Sequence, residues 1–258
     1  MPAQQAHATG LSACVIAKDE ADRIDACLAS LAFCDEILVV DSGSSDATRE
    51  IAAARGARVI VREWPGHVAQ KEFAIRAARH DWVLCVDADE RVSPELAAEI
   101  ADLRDAGFPG APGWRLPRLS SYLGRWIRHG TWYPDPQLRL FDRRRGRWGG
   151  RDPHDRVELA GAAGALRGQL LHFPYRSLED HLATIDRYTT TMASGLAEAG
   201  RRGRLVDLAL RPPARFLRSY LLQAGFLDGW RGLLLASLAA HYVRLKYAKL
   251  WLRTRRPG

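Results

Sequence analysis

The sequence contains little sulfur and no long apolar segment. Its 258 residues include four cysteines, which form no C-x-x-C pair and lie in apolar stretches. This pattern argues against a disulfide framework or a zinc site and favours a reducing cytoplasm. No uninterrupted apolar run approaches the roughly 18 residues of a membrane-spanning helix. G-x-G-x-x-G and G-x-x-x-x-G-K-S/T are both absent, so a dinucleotide cofactor and a P-loop nucleotide site are disfavoured.

The two ends of the chain differ from its body. Residues 1–10 lack the basic and apolar regions of a signal peptide, and we expect a flexible segment there. Residues 201–258 hold 13 basic and 2 acidic side chains, whereas residues 1–200 hold 25 and 28, within a net charge of +8. Because the body is nearly neutral, we expect no nucleic-acid partner. The basic end predicts a local anionic partner.

Residues 11–105 alternate between strand and helix patterns. Short apolar runs are separated by segments whose apolar residues recur at helical spacing. This alternation is typical of an α/β fold with a parallel, doubly wound sheet that helices cover on both faces. The predicted strands are Leu11–Ala17, Glu36–Val40, Ala57–Val61 and Trp82–Val86, and the predicted helices are residues 24–31, a helix capped by Ser45 or Asp46 and ending at Arg55, residues 67–79 and a helix opening at Ser93 and Pro94.

The second half of the chain has fewer regular patterns. Residues 107–171 are rich in Gly, Pro, Trp and Arg and predict loops with short strands, followed by a helix at Ser177–Ala199. Arg211–Pro213 is predicted to interrupt the chain, because proline lacks the N–H that a helix interior needs. Ala214–Arg253 then predicts one long helix, or a pair of helices bent at Gly225–Gly232.

Polar residues follow three predicted strands at their carboxyl ends: Lys18–Glu20, Asp41–Asp46 and Asp87–Glu90. Ligands of doubly wound sheets bind at these ends. Asp87 and Asp89 bring two carboxylates together, and Mg²⁺ or Mn²⁺ would relieve their repulsion. A solvated acidic turn or helix cap is the alternative, but the position directly after a buried strand favours the metal.

Four further residues are candidates for chemistry. Asp41 ends a strand and can accept a hydrogen bond from a ribose or a base, although its loop could simply cap the next helix. Lys71 lies near a helix start, where it could meet a diphosphate or equally be a solvated lysine. Asp135 and Asp155 are candidate general bases, although either alone is more typical of a polar surface.

Two basic segments remain. Apolar residues recur at steps of three or four between Phe216 and Leu252 among Arg and Lys, which predicts contact of residues 211–256 with an anionic membrane surface. Packing of this helix on the body or on a partner subunit is the alternative. The run Arg143–Arg147 could hold phosphate or RNA, but such runs are usually solvated turns.

Three motifs together resemble the family 2 glycosyltransferases, which have the GT-A nucleotide-sugar fold. They are VIAKDE at Val15–Glu20, VVDSGSSD at Val39–Asp46 and VDADE at Val86–Glu90. Later segments, such as WYPDPQLRLF at Trp132–Phe141 and GFLDGW at Gly225–Trp230, look like the bacterial lipopolysaccharide core glucosyltransferase group. The resemblance covers about residues 11–252.

This resemblance implies a catalytic domain at residues 11–175 and a helical, membrane-associating region at 176–258. It implies an inverting transfer of glucose from UDP-glucose to an inner-core heptose of a lipid A precursor. The place would be the cytoplasmic face of the inner membrane. Alternatives are another lipid-linked acceptor, another donor such as a nucleotide-activated heptose, an inactive scaffold, or a nucleotide- or RNA-binding module.

The resemblance also implies roles for individual residues. Asp155 would be the catalytic base, with Asp135 as the second choice. Ser42 departs from a family pattern with two acids, and Asp155 stands where glutamate is common. The resemblance further places Ala17 and Glu20 at the nucleotide, Asp41 at the base or ribose, and Lys71 near the nucleotide. It places Asp87 and Asp89 at Mg²⁺ or Mn²⁺, with Asp89 nearest the metal.

Overall fold

The computed structural model describes residues 9–151 and 154–255. Residues 1–8 of the predicted flexible segment therefore lie outside the described residues. The strands are β1 Leu11–Ala17, β2 Glu36–Asp41, β3 Arg58–Val61, β4 Trp82–Asp87, β5 Glu90–Val92, β6 Gly113–Tyr122, β7 Arg125–Trp126, β8 Asp135–Asp142, β9 Gly146–Arg151, β10 His154–Leu159, β11 Gly164–Ala165 and β12 Leu170–His172. The helices are α1 Ile24–Ala29, α2 Thr48–Ala54, α3 His67–Ala77, α4 Pro94–Asp105, α5 Leu178–Glu198, α6 Leu205–Leu217 and α7 Trp230–Thr254.

The main sheet has a parallel half and an antiparallel half. Strands β3, β2, β1 and β4 lie side by side in that order and pair in parallel. Strand β8 pairs antiparallel with β4, and β6 pairs antiparallel with β8. The predicted α/β fold with a parallel sheet is confirmed, and the loop-rich second half adds antiparallel strands to it.

Strands β1, β2 and β4 are mostly apolar and almost entirely buried, whereas β3 at the edge of the sheet is only partly buried. One core cluster includes Leu11, Val15 and Leu84, and a second includes Leu38 and Phe141. Burial of successive residues removes side chains on both faces of a strand from water, which explains the continuous apolar runs. The helix start at Pro94 is also confirmed, since Ser93 is the N-cap and accepts from the Leu96 N–H at 3.2 Å.

Two local predictions are wrong. Pro212 and Pro213 lie inside α6 and do not interrupt it. The proline φ matches a helix, and packing of α6 against α7 stabilises the helix despite two missing backbone donors. Ala47, not Ser45 or Asp46, is the N-cap of α2, while the Asp46 carboxylate accepts from the Thr48 N–H at 3.0 Å.

The C-terminal part contains a pair of helices. Helix α6 continues into a π-helical turn at Arg218–Leu222, and a 3₁₀ turn at Gly225–Asp228 precedes α7. Of the two predicted alternatives, the pair of helices bent near Gly225–Gly232 is confirmed and the single long helix is wrong, and the first helix begins at Leu205 and not at Ala214. No helix among the described residues is long and apolar enough to cross a membrane.

Backbone contacts group the chain into two compact units. The first unit contains residues 1–118 and 135–172, and the second contains residues 119–134 and 173–258. Residues 119–134 thus group with the C-terminal helices, although the sequence prediction includes them in a domain at 11–175. The predicted domain limits stay a prediction.

Candidate functional site

The carboxyl ends of β1, β2 and β4 lie side by side in the first unit. Ala17 pairs with Asp41 across β1 and β2, and Ile16 pairs with Asp87 across β1 and β4. Glu20 follows β1, and its backbone N–H donates to Thr48 Oγ1 at 2.8 Å. Parallel strands thus place predicted residues from three chain segments at one sheet edge.

Asp41 is fully buried and shapes the loop that follows it. Its Oδ1 accepts from the backbone N–H groups of Gly43 at 3.0 Å and Ser44 at 2.9 Å, and its Oδ2 accepts from Ser44 Oγ. Gly43 has a φ of 80°, which glycine adopts without a Cβ penalty. Asp41 therefore organises the turn at the sheet edge. Its predicted contact with a base or ribose stays a prediction.

Lys71 connects two predicted acids. Its Nζ lies 2.9 Å from Oδ1 of Asp87 and 3.1 Å from Oδ2 of Asp155. The ring of Trp148 lies beneath it, 4.6 Å from Nζ to the ring centroid, and the Trp148 indole N–H donates to Asp155 Oδ2 at 2.8 Å. The Lys71 side chain is only 10% exposed, so it is a buried bridge and not a solvated helix lysine.

Arg139 was not singled out from the sequence. Its guanidinium, 4% exposed, donates from Nη2 to Asp87 at 2.8 Å and to the fully buried Glu90 at 3.2 Å. Its Nε and Nη1 have no hydrogen-bond partner among the described residues. The sequence does indicate such a residue, since Arg139 lies within the predicted strand Gln137–Phe141 and a buried charge needs a partner.

Asp135 lies on β8 with both oxygens engaged. Arg118 donates from Nε to its Oδ2 at 2.8 Å, and Gln137 donates to its Oδ1 at 2.6 Å. Arg118 also reaches Glu90 at 3.2 Å. Arg118, Arg139 and Lys71 thus alternate with Asp135, Glu90, Asp87 and Asp155 in one chain of contacts, with the two candidate bases at its ends.

The pKa values of two acids are lowered by this arrangement. Burial alone would raise the pKa of Asp87, but the charges of Arg139 and Lys71 outweigh it and hold that pKa well below its usual range. Burial likewise opposes ionisation of Asp155, and the charge and hydrogen bond of Lys71, with the Trp148 hydrogen bond, lower its pKa. Both groups are carboxylates at neutral pH.

Asp89, the second acid of the D-x-D motif, lies beside one imidazole and one guanidinium. The Nε2 of His172 lies 3.5 Å from Asp89 Oδ2, and Nη1 of Arg23 lies 3.8 Å from the same oxygen. The described residues include no group of three or more His, Cys, Asp or Glu arranged to hold a metal. One carboxylate and one imidazole nevertheless suit Mn²⁺ or Mg²⁺ when substrate phosphates and water complete the ligands. Asp87 is already neutralised by two cations.

The basic run at 143–147 is engaged in ion pairs within the first unit. Arg143 contacts Asp81 at 3.4 Å, Arg144 contacts Asp142 at 2.7 Å, and Arg147 contacts Glu158 at 2.7 Å. These pairs explain the run as a structural turn.

Comparison with known proteins identifies the family. Residues 12–158 match the family model described as "Glycosyl transferase family 2". The chain is 31% identical over 250 residues to the lipopolysaccharide core biosynthesis glycosyltransferase LpsC of Rhizobium meliloti (strain 1021), covering 94% of this chain and 92% of that protein. It is 29% identical over 258 residues to an uncharacterized glycosyltransferase of Rickettsia bellii (strain RML369-C), covering 93% and 85%.

Among solved structures, the chain matches glucosyl-3-phosphoglycerate synthase from Mycobacterium tuberculosis in complex with Mn²⁺, UDP and glucosyl-3-phosphoglycerate. The identity is 25%, the match covers 44% of each chain, and the TM-score is 0.36. The family model and the full-length similarity decide the assignment: the chain belongs to glycosyltransferase family 2 and has the GT-A fold, as its three motifs predict.

Proposed function

We propose that this glycosyltransferase transfers glucose from UDP-glucose to an inner-core heptose of lipopolysaccharide, with inversion at the anomeric carbon. The central observation is the Lys71 bridge, which joins the first acid of the D-x-D motif to Asp155. The similarity to a protein named for lipopolysaccharide core biosynthesis supports the acceptor class. The motif resemblance supports the donor.

Asp155 is the proposed base. The contacts from Lys71 and Trp148 both fall on Oδ2, so Oδ1 can accept the proton of an attacking acceptor hydroxyl. Because the pKa of Asp155 is lowered, the carboxylate is ready at neutral pH, and Lys71 holds its orientation. A hydroxyl that attacks from the face opposite the leaving group inverts the configuration in one displacement.

Other residues are proposed to hold the donor. Ala17, Glu20 and Asp41 would contact the nucleoside at the sheet edge. Arg139, beside Asp87, has N–H groups that find no partner in the described part of the chain. Asp89 and His172 would hold Mg²⁺ or Mn²⁺, which when bound would stabilise the negative charge of the departing diphosphate. Asp87, held by Lys71 and Arg139, would position the loop that carries Asp89.

We also propose peripheral binding at the cytoplasmic face of the inner membrane. The second unit exposes an apolar patch, with Leu222 83% and Trp230 58% exposed. Arg218 lies between its residues in the chain and Arg231 directly follows Trp230, which suits an anionic bilayer surface. We define the apolar patch as the exposed large apolar side chains between residues 217 and 230, which are Leu217, Leu221, Leu222, Phe226, Leu227 and Trp230.

The membrane contact proposed at the apolar patch is shorter than the segment 211–256 that the sequence predicts. The sequence predicts that residues 211–256 bind as one amphipathic segment, but much of α7 packs against α5 and α6. Leu235, Leu238 and Leu250 of α7 are buried, so they are not free to enter a bilayer. The proposed contact is therefore the turn region between α6 and α7.

Calorimetric titration with UDP-glucose tests the donor assignment. We expect binding with Mn²⁺ or Mg²⁺, a preference over other nucleotide sugars, and loss of binding with a chelator. Asp89→Asn and His172→Asn should each weaken metal-dependent binding, whereas Asp135→Asn should not. Chelator-insensitive binding of equal strength would exclude the metal proposal, and preference for another nucleotide sugar would replace the donor.

A further inference from the structure

A cavity in the second unit involves none of the residues assigned above to the donor or to the base. Its volume is about 230 Å³. At about 30 Å³ per water molecule, this is room for several waters or for one substituted six-membered ring. Its aromatic and aliphatic walls include Trp132, Tyr175, Tyr242 and Leu235, and Arg215 also lines it.

The aromatic wall of this cavity is held in place by contacts within the second unit. The rings of Tyr175 and His181 stack with their centroids 3.9 Å apart, and His181 Nδ1 hydrogen-bonds to the Tyr122 hydroxyl at 3.1 Å. Trp132 lies edge-on to Tyr122, with 5.4 Å between ring centroids. Fixed aromatic faces with polar tips suit a ligand that has both an apolar face and hydroxyl groups.

Arg215 has no hydrogen bond or ion pair with any described residue, although it is half-buried. Lys246 lies beside the cavity, with its Nζ 5.9 Å from the centroid of the Tyr242 ring, and it too has no anionic partner in the described chain. Arg211 and Lys246 contact the same Tyr247 ring, at 4.9 and 5.0 Å from its centroid.

Both acids of the C-terminal segment 201–258 have partners away from Arg215 and Lys246. Residues 201–258 contain only Asp207 and Asp228. Asp207 pairs with Arg211 at 2.5 Å, and Asp228 accepts from the His129 N–H at 2.9 Å. The pKa of Lys246 is lowered, first by burial and then by the like charges of Arg211, Arg215 and Arg201. These cations repel one another, and an anion bound among them would relieve that repulsion.

We propose that the cavity binds a phosphate monoester that carries a pyranose ring or an acyl chain, with its phosphate at Arg215 and Lys246 and its remainder against the aromatic walls. Two cations without carboxylate partners match a group of charge about −1.5 to −2 at neutral pH. The arginine fork can hold two phosphate oxygens at once.

Calorimetric titrations of the intact protein in excess chelator test this proposal. The chelator removes Mg²⁺ and Mn²⁺, so the proposed metal-dependent donor binding does not contribute to the measured heat. The probes are glucose 1-phosphate, dihexanoyl phosphatidic acid below its micelle concentration, inorganic phosphate and neutral methyl glucoside. We expect at least one of the two phosphate esters to bind with 1:1 stoichiometry. Binding of glucose 1-phosphate would assign a sugar phosphate, and binding of the lipid alone would assign a lipid headgroup.

Arg215→Met and Lys246→Met should each weaken the bound ester at least tenfold. The matched control is Arg244→Met, which removes an exposed charge from α7, the helix that carries Lys246, and should change the affinity for the ester less than twofold. If Arg215→Met loses its helical circular dichroism, Ala239→Leu replaces it, because this change narrows the cavity and removes no charge. The proposal fails if neither ester binds, if inorganic phosphate or methyl glucoside binds as tightly, or if Arg244→Met weakens binding equally.

Discussion

The ammonium of Lys71 lies 3.1 Å from Oδ2 of Asp155, which follows it by 84 residues in the chain. The same ammonium lies 2.9 Å from Oδ1 of Asp87. One buried cation therefore joins the first acid of the D-x-D motif to the proposed base. Together with Arg139 at Asp87 and Trp148 at Asp155, this cation favours the charged form of both carboxylates and holds their orientation.

Substitution of Asp155 tests the base. Asp155→Asn should lower kcat by about 10²- to 10⁴-fold, the usual contribution of general-base catalysis, and leave UDP binding intact. Asp135→Asn is the comparison, because both Asp135 oxygens are engaged by Arg118 and Gln137. Steady-state rates and UDP titrations of both variants show which of the two carboxylates is the base. An active Asp155→Asn together with an inactive Asp135→Asn would move the base to Asp135.

Removal of Lys71 should change the pH dependence of catalysis. The Lys71 charge lowers the pKa of Asp155, so the wild-type carboxylate stays ionised at lower pH. Lys71→Met should raise that pKa and shift the acid limb of kcat/KM to higher pH. The measurement is a pH–rate profile between about pH 4 and 8, spanning the usual carboxyl range. Arg76→Met, on the exposed side of the same helix, should retain the wild-type profile; an unshifted Lys71→Met profile would contradict the prediction.

Arg139 should contribute strongly to stability. Arg139→Met would leave Asp87 and the fully buried Glu90 without this cation, and breaking a buried pair typically costs about 3 to 5 kcal/mol in the free energy of unfolding. Arg147→Met breaks the more exposed pair with Glu158 and should cost less than about 1 kcal/mol. Urea unfolding of both variants measures this difference. Equal losses would show that the network does not stabilise the fold.

His181 should make the second unit sensitive to acid. Burial lowers its pKa to about 4 from 6.5, against a smaller opposing effect of the Asp180 carboxylate. Since the neutral form is favoured in the folded state, this contribution is complete above pH 6.5 and is lost as the pH falls toward 4. His181→Asn should therefore lose less free energy of unfolding between these pH values than the wild type. An equal loss of free energy of unfolding in the wild type and in His181→Asn would exclude His181 as the source of the acid sensitivity.

The apolar patch should determine membrane binding. Leu222→Ser combined with Trp230→Ser should reduce co-sedimentation with phosphatidylglycerol vesicles severalfold, because both side chains are more than half exposed. Leu182→Ser, at an exposed leucine of α5 outside the patch, is the control. Weak binding to phosphatidylcholine vesicles and at high salt is also expected. Undiminished sedimentation of the double variant would rule out this anchor.

Local patterns in the sequence predict much of the fold. The limits of β1 match the prediction, and β2 and β4 each extend by only one residue to Asp41 and Asp87. Burial of a strand on both faces leaves a continuous apolar run, and an N-cap followed by proline depends only on neighbouring residues. The interruption predicted at Pro212 and Pro213 is wrong because packing of α6 against α7, which local propensity does not include, outweighs the cost of the prolines.

The sequence by itself determined the parallel sheet, the D-x-D motif after β4 and the family, since these depend on short segments and on their order in the chain. Only the tertiary structure decided which side chains meet. It joined Lys71 to Asp155, Arg139 to Glu90 and Asp89 to His172. These pairs lie far apart in the chain, and a buried charge selects its partner by distance in the folded protein, which spacing along the sequence does not encode.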